Sequence, residues 1–496
     1  MSRQPRSAKI ATSPLNGGSP RPARRRGGRG ITPALAIAIA YVACALMSSM
    51  DSNIVNVMLP TITASFRSSL ESTQWTILGY VLALAIAMPS SAWLSTQFGD
   101  RRVLGVAIIT FGLGSAACGF AADLPMLIVC RLVQGAAGGM LMPVATSMLY
   151  RAYPPAERAR LTRTVLMPIA LGPALSPPLG GLFATHFSWR WAFFVNVPLC
   201  VFSYLLVARR VPDLPAERRP ARFDTRGFVL AGLGLSATLL VLGQGNEWGW
   251  TAPAILVSMV VGPVCLALFA VVEWRSRQPL LDLRLFRGEL FRRTNIATTC
   301  QTAAFLGGLI YVTPLFLQRD GMNSALVAGL VTAAVPVGVV TTAQTVGRLY
   351  GAIGPRRMVA VGQIALAAIL TAIAFLAAGS PLWVMVLLLL GAGMANGSAM
   401  VGLQTSMFAQ VSAEQTPSAA TIWNINRQLT SALSISIATI VITAVPAANG
   451  LDFRVAYLVT AGWALLAAIA GAFIDDHLAA STRVPKTTTA PVAEAA

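Results

Sequence analysis

The sequence predicts an all-α integral membrane protein, built as two six-helix bundles (spans 1–6 and 9–14) with two linker helices inserted between them. Three observations carry that prediction. Only 11% of the 496 residues are charged and 55% are hydrophobic, where a soluble protein carries about 25% charged residues. Apolar runs of helical length recur from Ile31 to Phe473; a membrane β-barrel would show short alternating segments instead. Finally, a sequence pattern returns at an offset of eight spans.

Taken in order, residues 1–32 form a basic tail. Spans are expected at 33–56, 74–96, 103–122, 125–149, 164–185 and 191–209, giving a first bundle over 33–210. A linker over 211–290 holds spans at 226–245 and 252–273, and its stretch Pro279-Leu-Leu-Asp-Leu-Arg-Leu-Phe286 is suited to a short helix on the membrane surface. The second bundle, 291–475, has spans at 295–317, 325–350, 357–378, 381–408, 418–444 and 454–474, and 476–496 is a tail. Each span can cross a core of about 30 Å with some tilt.

The repeat sets the architecture. Leu94 and Gly99, followed by Asp100-Arg-Arg102, end span 2; Leu349 and Gly354, followed by Pro355-Arg-Arg357, end span 10. Ala156-Glu157 after span 4 is echoed by Ala413-Glu414 after span 12. Two matches at one span offset point to duplication, and paired halves place a substrate site between them at the midplane.

A net charge of +19 suggests nucleic acid only until the arginines are placed. About 31 of the 37 basic residues fall in alternate loops and tails on one side of the expected topology. Arg67, Arg190, Arg319 and Arg454 fall on the other, and Arg131 and Arg427 lie inside spans. By the positive-inside rule both termini are cytoplasmic, in a plasma (inner) membrane. The Arg21–Arg29 run is then an orientation and lipid-headgroup feature, so no nucleic-acid partner is expected. The first apolar run ends in polar residues without a small-residue cleavage site, and reads as a retained helix. All six cysteines lie in apolar runs without a C-x-x-C pair, and His186 and His477 give no ligand spacing. No metal or cofactor is expected.

Several motifs are specific enough to name a family. Met50-Asp-Ser-Asn-Ile-Val-Asn-Val-Met-Leu-Pro60 lies in span 1, and Arg131-Leu-Val-Gln-Gly135 with Gly138 and Gly139 in span 4. Ala170-Leu-Gly-Pro-Ala-Leu-Ser-Pro-Pro-Leu-Gly-Gly181 lies in span 5, and Trp189-Arg-Trp-Ala-Phe-Phe-Val-Asn-Val-Pro198 opens span 6. Over about residues 31–475 the chain resembles the fourteen-span drug:proton antiporters of the major facilitator superfamily, the EmrB and QacA type. The resemblance implies the major facilitator fold, export by alternating access, and an antiporter motif in span 5 at Gly172, Pro173, Pro177, Gly180 and Gly181. It also implies an inner-loop motif at Gly99, Arg101 and Arg102. That motif departs from the family pattern, because Ala92 and Thr96 stand where a Gly and an Asp are common. The acid of the usual inner-side charge relay is therefore missing at 96.

The candidate chemistry is sparse. Asp51 is the one acid well inside a span. Desolvation favours the neutral form of a carboxyl group, so such an acid is a candidate proton carrier. It also fits a structural acid bonded to backbone, or a direct ligand of a cationic substrate. Arg131 keeps its charge and must reach water or an acid; it either tunes the proton affinity of Asp51 or ties span 4 to neighbouring carbonyls. Gln134, Asn396, Gln404 and Arg427 are candidates for a polar substrate path, or else helix–helix glue. In span 5, Gly alone would serve close packing, whereas Pro at 173, 177 and 178 frees carbonyls and favours a bendable seam.

Among functions, ATP-driven transport is excluded, since the lysines are Lys9 and Lys486 and no phosphate-binding loop exists. A membrane enzyme would need clustered nucleophiles or carboxylates that the spans lack. Proton-coupled export of small, lipophilic compounds remains, with uptake or uniport of a small metabolite on the same fold as the alternative. One entering proton supplies about 2.3 kcal/mol per 100 mV and about 1.4 kcal/mol per pH unit, enough for one titrating acid to drive a steep gradient. The expected partners are the substrate, the proton and the lipid bilayer; the short outer loops carry no signal for a periplasmic adaptor.

Overall fold

The computed structural model describes residues 32–154, 187–212, 223–276, 278–318, 325–345, 353–376, 380–446 and 450–476, together with 157, 165, 172, 179, 182 and 183. Pro173, Pro177, Gly180 and Gly181 lie outside the described residues, as do residues 1–31 and 477–496.

The helices are α1 (Pro33–Phe66), α2 (Leu70–Ala87), α3 (Ser90–Phe98), α4 (Asp100–Gly119), α5 (Leu124–Ala152), α6 (Trp191–Phe194) and α7 (Asn196–Arg210). The inserted pair is α8 (Thr225–Trp248) and α9 (Pro253–Arg275). Then come α10 (Glu289–Ala303), a π-helical segment (Ala304–Val312), α11 (Thr313–Gln318), α12 (Ala325–Thr332), α13 (Ala334–Thr345), α14 (Pro355–Ala374), α15 (Leu382–Met407), α16 (Thr416–Ala444) and α17 (Leu451–Ala472). Among the described residues, 11 helices are long and apolar enough to cross a membrane, or 12 if the bent pair α2–α3 is one span.

Local chemistry explains the boundaries. Thr32 caps α1 by accepting from the Leu35 amide, with Pro33 at the first helical position. Asp123 caps α5 through the Met126 amide. The helix expected to end at 56 continues ten residues further, to Phe66, where Arg67 takes a left-handed conformation (φ 50°). The expected single span 74–96 is instead broken before Ser90, with a bend of 53° at Pro89. Proline removes the amide that would continue the ladder, and Ser90 and Ser91 hydroxyls take up carbonyls of Ala87 and Met88 at the break.

The halves repeat in three dimensions. α5 packs on α1, α2 and α4, and α7 packs on α1 and α4; correspondingly, α15 packs on α10, α13 and α14, and α17 packs on α10 and α14. Gly135 and Gly139 of α5 face the carbonyls of Tyr80 and Leu84, as Gly393 and Gly397 of α15 face those of Val335 and Val339. Gly99 (φ 86°) turns the chain into α4, and Gly354 (φ 78°) turns it into α14. Positive φ is accessible to glycine without steric cost, which accounts for a Gly at the same place in each half.

α8 and α9 pack on each other, and α8 bridges α2 and α16. At the arginine-rich end the halves meet directly. Ser91 and Thr421 hydroxyls lie 2.9 Å apart, and Tyr150 stacks on Phe408 with ring centroids at 4.1 Å. Ala92, Met407, Ala419, Ala420 and Trp423 join that core. The expected surface helix near 279–286 is a 3₁₀ turn, Leu283–Arg287, whose Leu285 is buried with Leu281 in the same cluster. Two leucines on one side of the turn gain more under the bundle than on a wet surface.

Candidate functional site

The first half holds a buried polar cluster around Asp51. α5 approaches α2 closely because a Cβ at Gly135 or Gly139 would collide with a carbonyl of the facing helix. Arg131 lies one turn before Gly135 on the same face, so the approach carries its guanidinium into the bundle. Asp51 is fully buried and Arg131 is 1% exposed.

Arg131 Nη1 donates to Asp51 Oδ2 at 2.6 Å. Gln134 Nε2 and Asn196 Nδ2 donate to Asp51 Oδ1 at 2.8 and 3.1 Å. Arg131 Nε donates to the Thr76 carbonyl at 2.9 Å, and Nη1 also reaches Gln134 Oε1 at 2.9 Å. The guanidinium carbon sits 4.1 Å from the Tyr80 ring centroid, a favourable cation–π placement in a dry site. The carboxylate thus has three donors, and the cation has an acid, two oxygens and a π face. One proton on Asp51 would break the strongest contact while leaving Arg131 its carbonyls and ring.

The sequence pairs Asp51 with Arg131 and offers Gln134 for a substrate path or helix packing; the structure brings all three into one cluster within the first half. Asn196 was not anticipated, nor were Thr76 and Tyr80. The signal for Asn196 was available: a lone amide between two valines in the Trp189–Pro198 stretch.

The second half holds uncharged polar pairs and one cation. Gln301 Nε2 donates to Asn396 Oδ1 at 2.7 Å, and Asn396 is fully buried. Gln404 is buried and faces Tyr41 of α1 across the interface, and Arg427 lies within electrostatic reach of the same hydroxyl. Arg427 lines a cavity of about 20 Å³, room for a water molecule, with Gln301, Thr302, Phe305, Leu306, Met400, Leu403 and Trp423.

At the arginine-rich end, Gly99 makes the turn and Arg101 donates to the Ala208 carbonyl of α7, while Arg102 is exposed. The acid missing at 96 has a counterpart four residues on, past the turn at Gly99. Asp100, at the first residue of α4, is buried and pairs with Arg151 of α5 at 2.8 Å. Gly172 faces Ser49 of α1, where a Cβ would lie 3.0 Å from the hydroxyl.

Two like-oriented helical halves, a charged pair buried in one and a polar seam between them are the architecture of a membrane transporter. A family model, Major Facilitator Superfamily, matches residues 41–435 and 296–494. The chain belongs to that superfamily. It is 30% identical over 409 residues to the "Multidrug resistance protein B homolog" of Mycobacterium tuberculosis (strain ATCC 25618 / H37Rv), spanning 81% of this chain and 75% of that protein. It is 32% identical over 324 residues to the "Multidrug export protein EmrB" of Escherichia coli (strain K12), spanning 65% and 63%. By structure it is similar to the human organic anion transporter MFSD10, with a TM-score of 0.64, 15% identity and coverage of 88% and 99%. The proton:xylose symporter XylE gives a TM-score of 0.62 at 13% identity, covering 90% and 96%. At these identities the two structures speak for the fold.

Proposed function

We propose that the chain is a proton-coupled exporter of small, lipophilic compounds that works by alternating access in a plasma (inner) membrane. Its arginine-rich end and both termini are then cytoplasmic, and its halves are the bundles 33–210 and 291–475. The observation that carries the reading is the buried acid Asp51, clasped by Arg131, Gln134 and Asn196. A charge in that position is costly unless paired or neutralised. Protonation frees Arg131 to lean on Thr76, Gln134 and Tyr80, and loosens α1 from α5 and α7. The substrate occupies the seam between halves near Gln404 and Arg427, and the closed contacts Ser91–Thr421 and Tyr150–Phe408 part when the halves rock. The span 5 motif, from Gly172 to Gly181, is the bending element of that motion. The multidrug resistance and multidrug export proteins among the relatives support the efflux reading.

The test uses everted vesicles with an imposed pH gradient and a panel of lipophilic acids and bases, scored for compound-evoked proton release. Wild type releases protons with at least one class, and Asp51→Asn abolishes the release. Full coupled proton movement in Asp51→Asn sinks the assignment of Asp51.

A further inference from the structure

Resting on that export reading, the charge balance at the seam names the class of substrate. The sequence places three ionisable charges deep in its spans: Asp51, Arg131 and Arg427. The first two neutralise each other at 2.6 Å. Arg427 has no such partner. Among the described residues it makes no ion pair and no hydrogen bond, and the Tyr41 hydroxyl of the other half lies within electrostatic reach of it. The expected span 5, at residues 164–185, cannot supply an acid, because it contains neither Asp nor Glu. Among the described residues, the seam is therefore left with one positive charge that no acid compensates.

Such a cation is costly in a membrane interior, and persists where water or a ligand compensates it. The cavity beside it holds only a water in this arrangement, about 20 Å³, and has to widen as the halves part, but its lining suits an amphipathic ligand. Gln301 and Thr302 supply polar contacts; Phe305, Leu306, Met400, Leu403 and Trp423 supply an apolar wall. Asn396, bonded to Gln301 through its oxygen, keeps a buried amide nitrogen without an acceptor among the described residues. A guanidinium matches a carboxylate or sulfonate through two parallel N–H donors. A lipophilic cation would meet a like charge there, with Asp51, the acid deep in the first half, already engaged by Arg131.

We propose that the chain recognises amphipathic organic anions, with Arg427 holding the acidic group and the Phe305–Met400–Trp423 wall holding the apolar body.

The probes are 2-naphthoate and 2-naphthylmethylammonium, naphthalenes of like size and opposite charge at pH 7, titrated into the purified full-length protein in detergent. Naphthoate is expected to bind at least ~10-fold tighter than the ammonium. Arg427→Gln removes that preference, and Arg427→Lys, which keeps the charge without the planar fork, falls between the two. Removing an uncompensated cation does not threaten folding, and gel filtration checks this for both variants. Naphthoate binding no tighter than that of the ammonium overturns the inference, as does a naphthoate affinity that Arg427→Gln leaves unchanged. Everted vesicles then separate this from the export reading. Arg427-dependent naphthoate binding without proton release refutes export and keeps the anion site. Proton release by the ammonium and not by naphthoate refutes the anion site and keeps export.

Discussion

Removing Arg131 should cost the fold far more than neutralising Asp51, and removing both charges should recover much of the loss. In Arg131→Gln the carboxylate keeps Gln134 and Asn196 at 2.8 and 3.1 Å but loses its counter-charge at 2.6 Å. A buried charge stripped of its partner typically costs about 3–5 kcal/mol. In Asp51→Asn the cation retains the Thr76 carbonyl, Gln134 Oε1 and the Tyr80 ring. The ring contact alone is worth up to about 2 kcal/mol in a desolvated site, so the loss should be roughly half as large. The double variant Asp51→Asn/Arg131→Gln leaves amides in place of ions. It should lie closer to Asp51→Asn than to Arg131→Gln, with a favourable coupling term of about 1–3 kcal/mol. Thermal unfolding of the four proteins in one detergent at pH 7 measures the cycle. The asymmetry matters for transport: a proton carrier must be able to go neutral without wrecking its surroundings, and the contacts retained by Arg131 permit that. Equal losses in both single variants, or simple additivity in the double, would refute this account of the cluster.

Four further outcomes are expected. Gly135→Ala puts a methyl 2.9 Å from the Tyr80 Cα; backbone cannot yield as a side chain does, so stability should drop by about 1–3 kcal/mol and proton release should fall with it. A cysteine pair at Ser91 and Thr421, whose hydroxyls lie 2.9 Å apart, should cross-link on oxidation in a background lacking the native cysteines, arrest transport, and recover on reduction; undiminished transport when cross-linked would contradict rocking of the halves at this contact. Asp100→Asn leaves Arg151, about a quarter exposed, without its acid, and should cost about 1–3 kcal/mol in unfolding assays while Thr96→Ala costs less. Naphthoate-evoked proton uptake into right-side-out vesicles loaded with naphthoate should accelerate with an inside-negative potential set by potassium and valinomycin, and insensitivity to potential would contradict anion-for-proton exchange.

Much of this was legible in the sequence because a membrane makes charge conspicuous. Asp51 and Arg131 stand out as ionisable groups within apolar runs, and the spacing of Gly135 and Gly139 marks one helix face. What the sequence does not encode locally is which amide faces which charge. Gln134 sits three residues from Arg131 and shares its face, yet an amide there serves a substrate path as readily as a carboxylate until the crossing of α5 on α2 is known. Asn196 required the approach of α7 to α1. Pro89 marks a break in the sequence, but apolar residues resume at Ala92, so neither the angle of the bend nor the role of the Ser90 and Ser91 hydroxyls that satisfy its carbonyls is legible there. The π-helical Ala304–Val312 is equally silent in composition, although it shifts the face of the helix by a residue just beside Gln301 and Phe305. The acid absent at Thr96 reappears at Asp100 because the left-handed Gly99 starts α4 there and turns the first residue toward α5, a conclusion that needs the backbone angle and not the motif.

In the proposed exchange, the placement of charge in separate halves ties its direction to the membrane potential. Asp51 and Arg131 lie within one half and make their contacts there, so protonation acts on the packing of that half alone. Arg427 belongs to the other half and lies within electrostatic reach of Tyr41 of the first. A proton entering on Asp51 while an organic anion leaves Arg427 carries two positive charges inward. At about 150 mV that is ~6.9 kcal/mol from the potential alone, a gradient on the order of 10⁵-fold. A monovalent cation leaving in exchange for one proton moves no net charge and gains nothing from the potential. The same fold with an uncompensated acid at the seam would favour cation export driven by pH. With an uncompensated arginine there, the electrical term and the recognition term favour the same class of ligand.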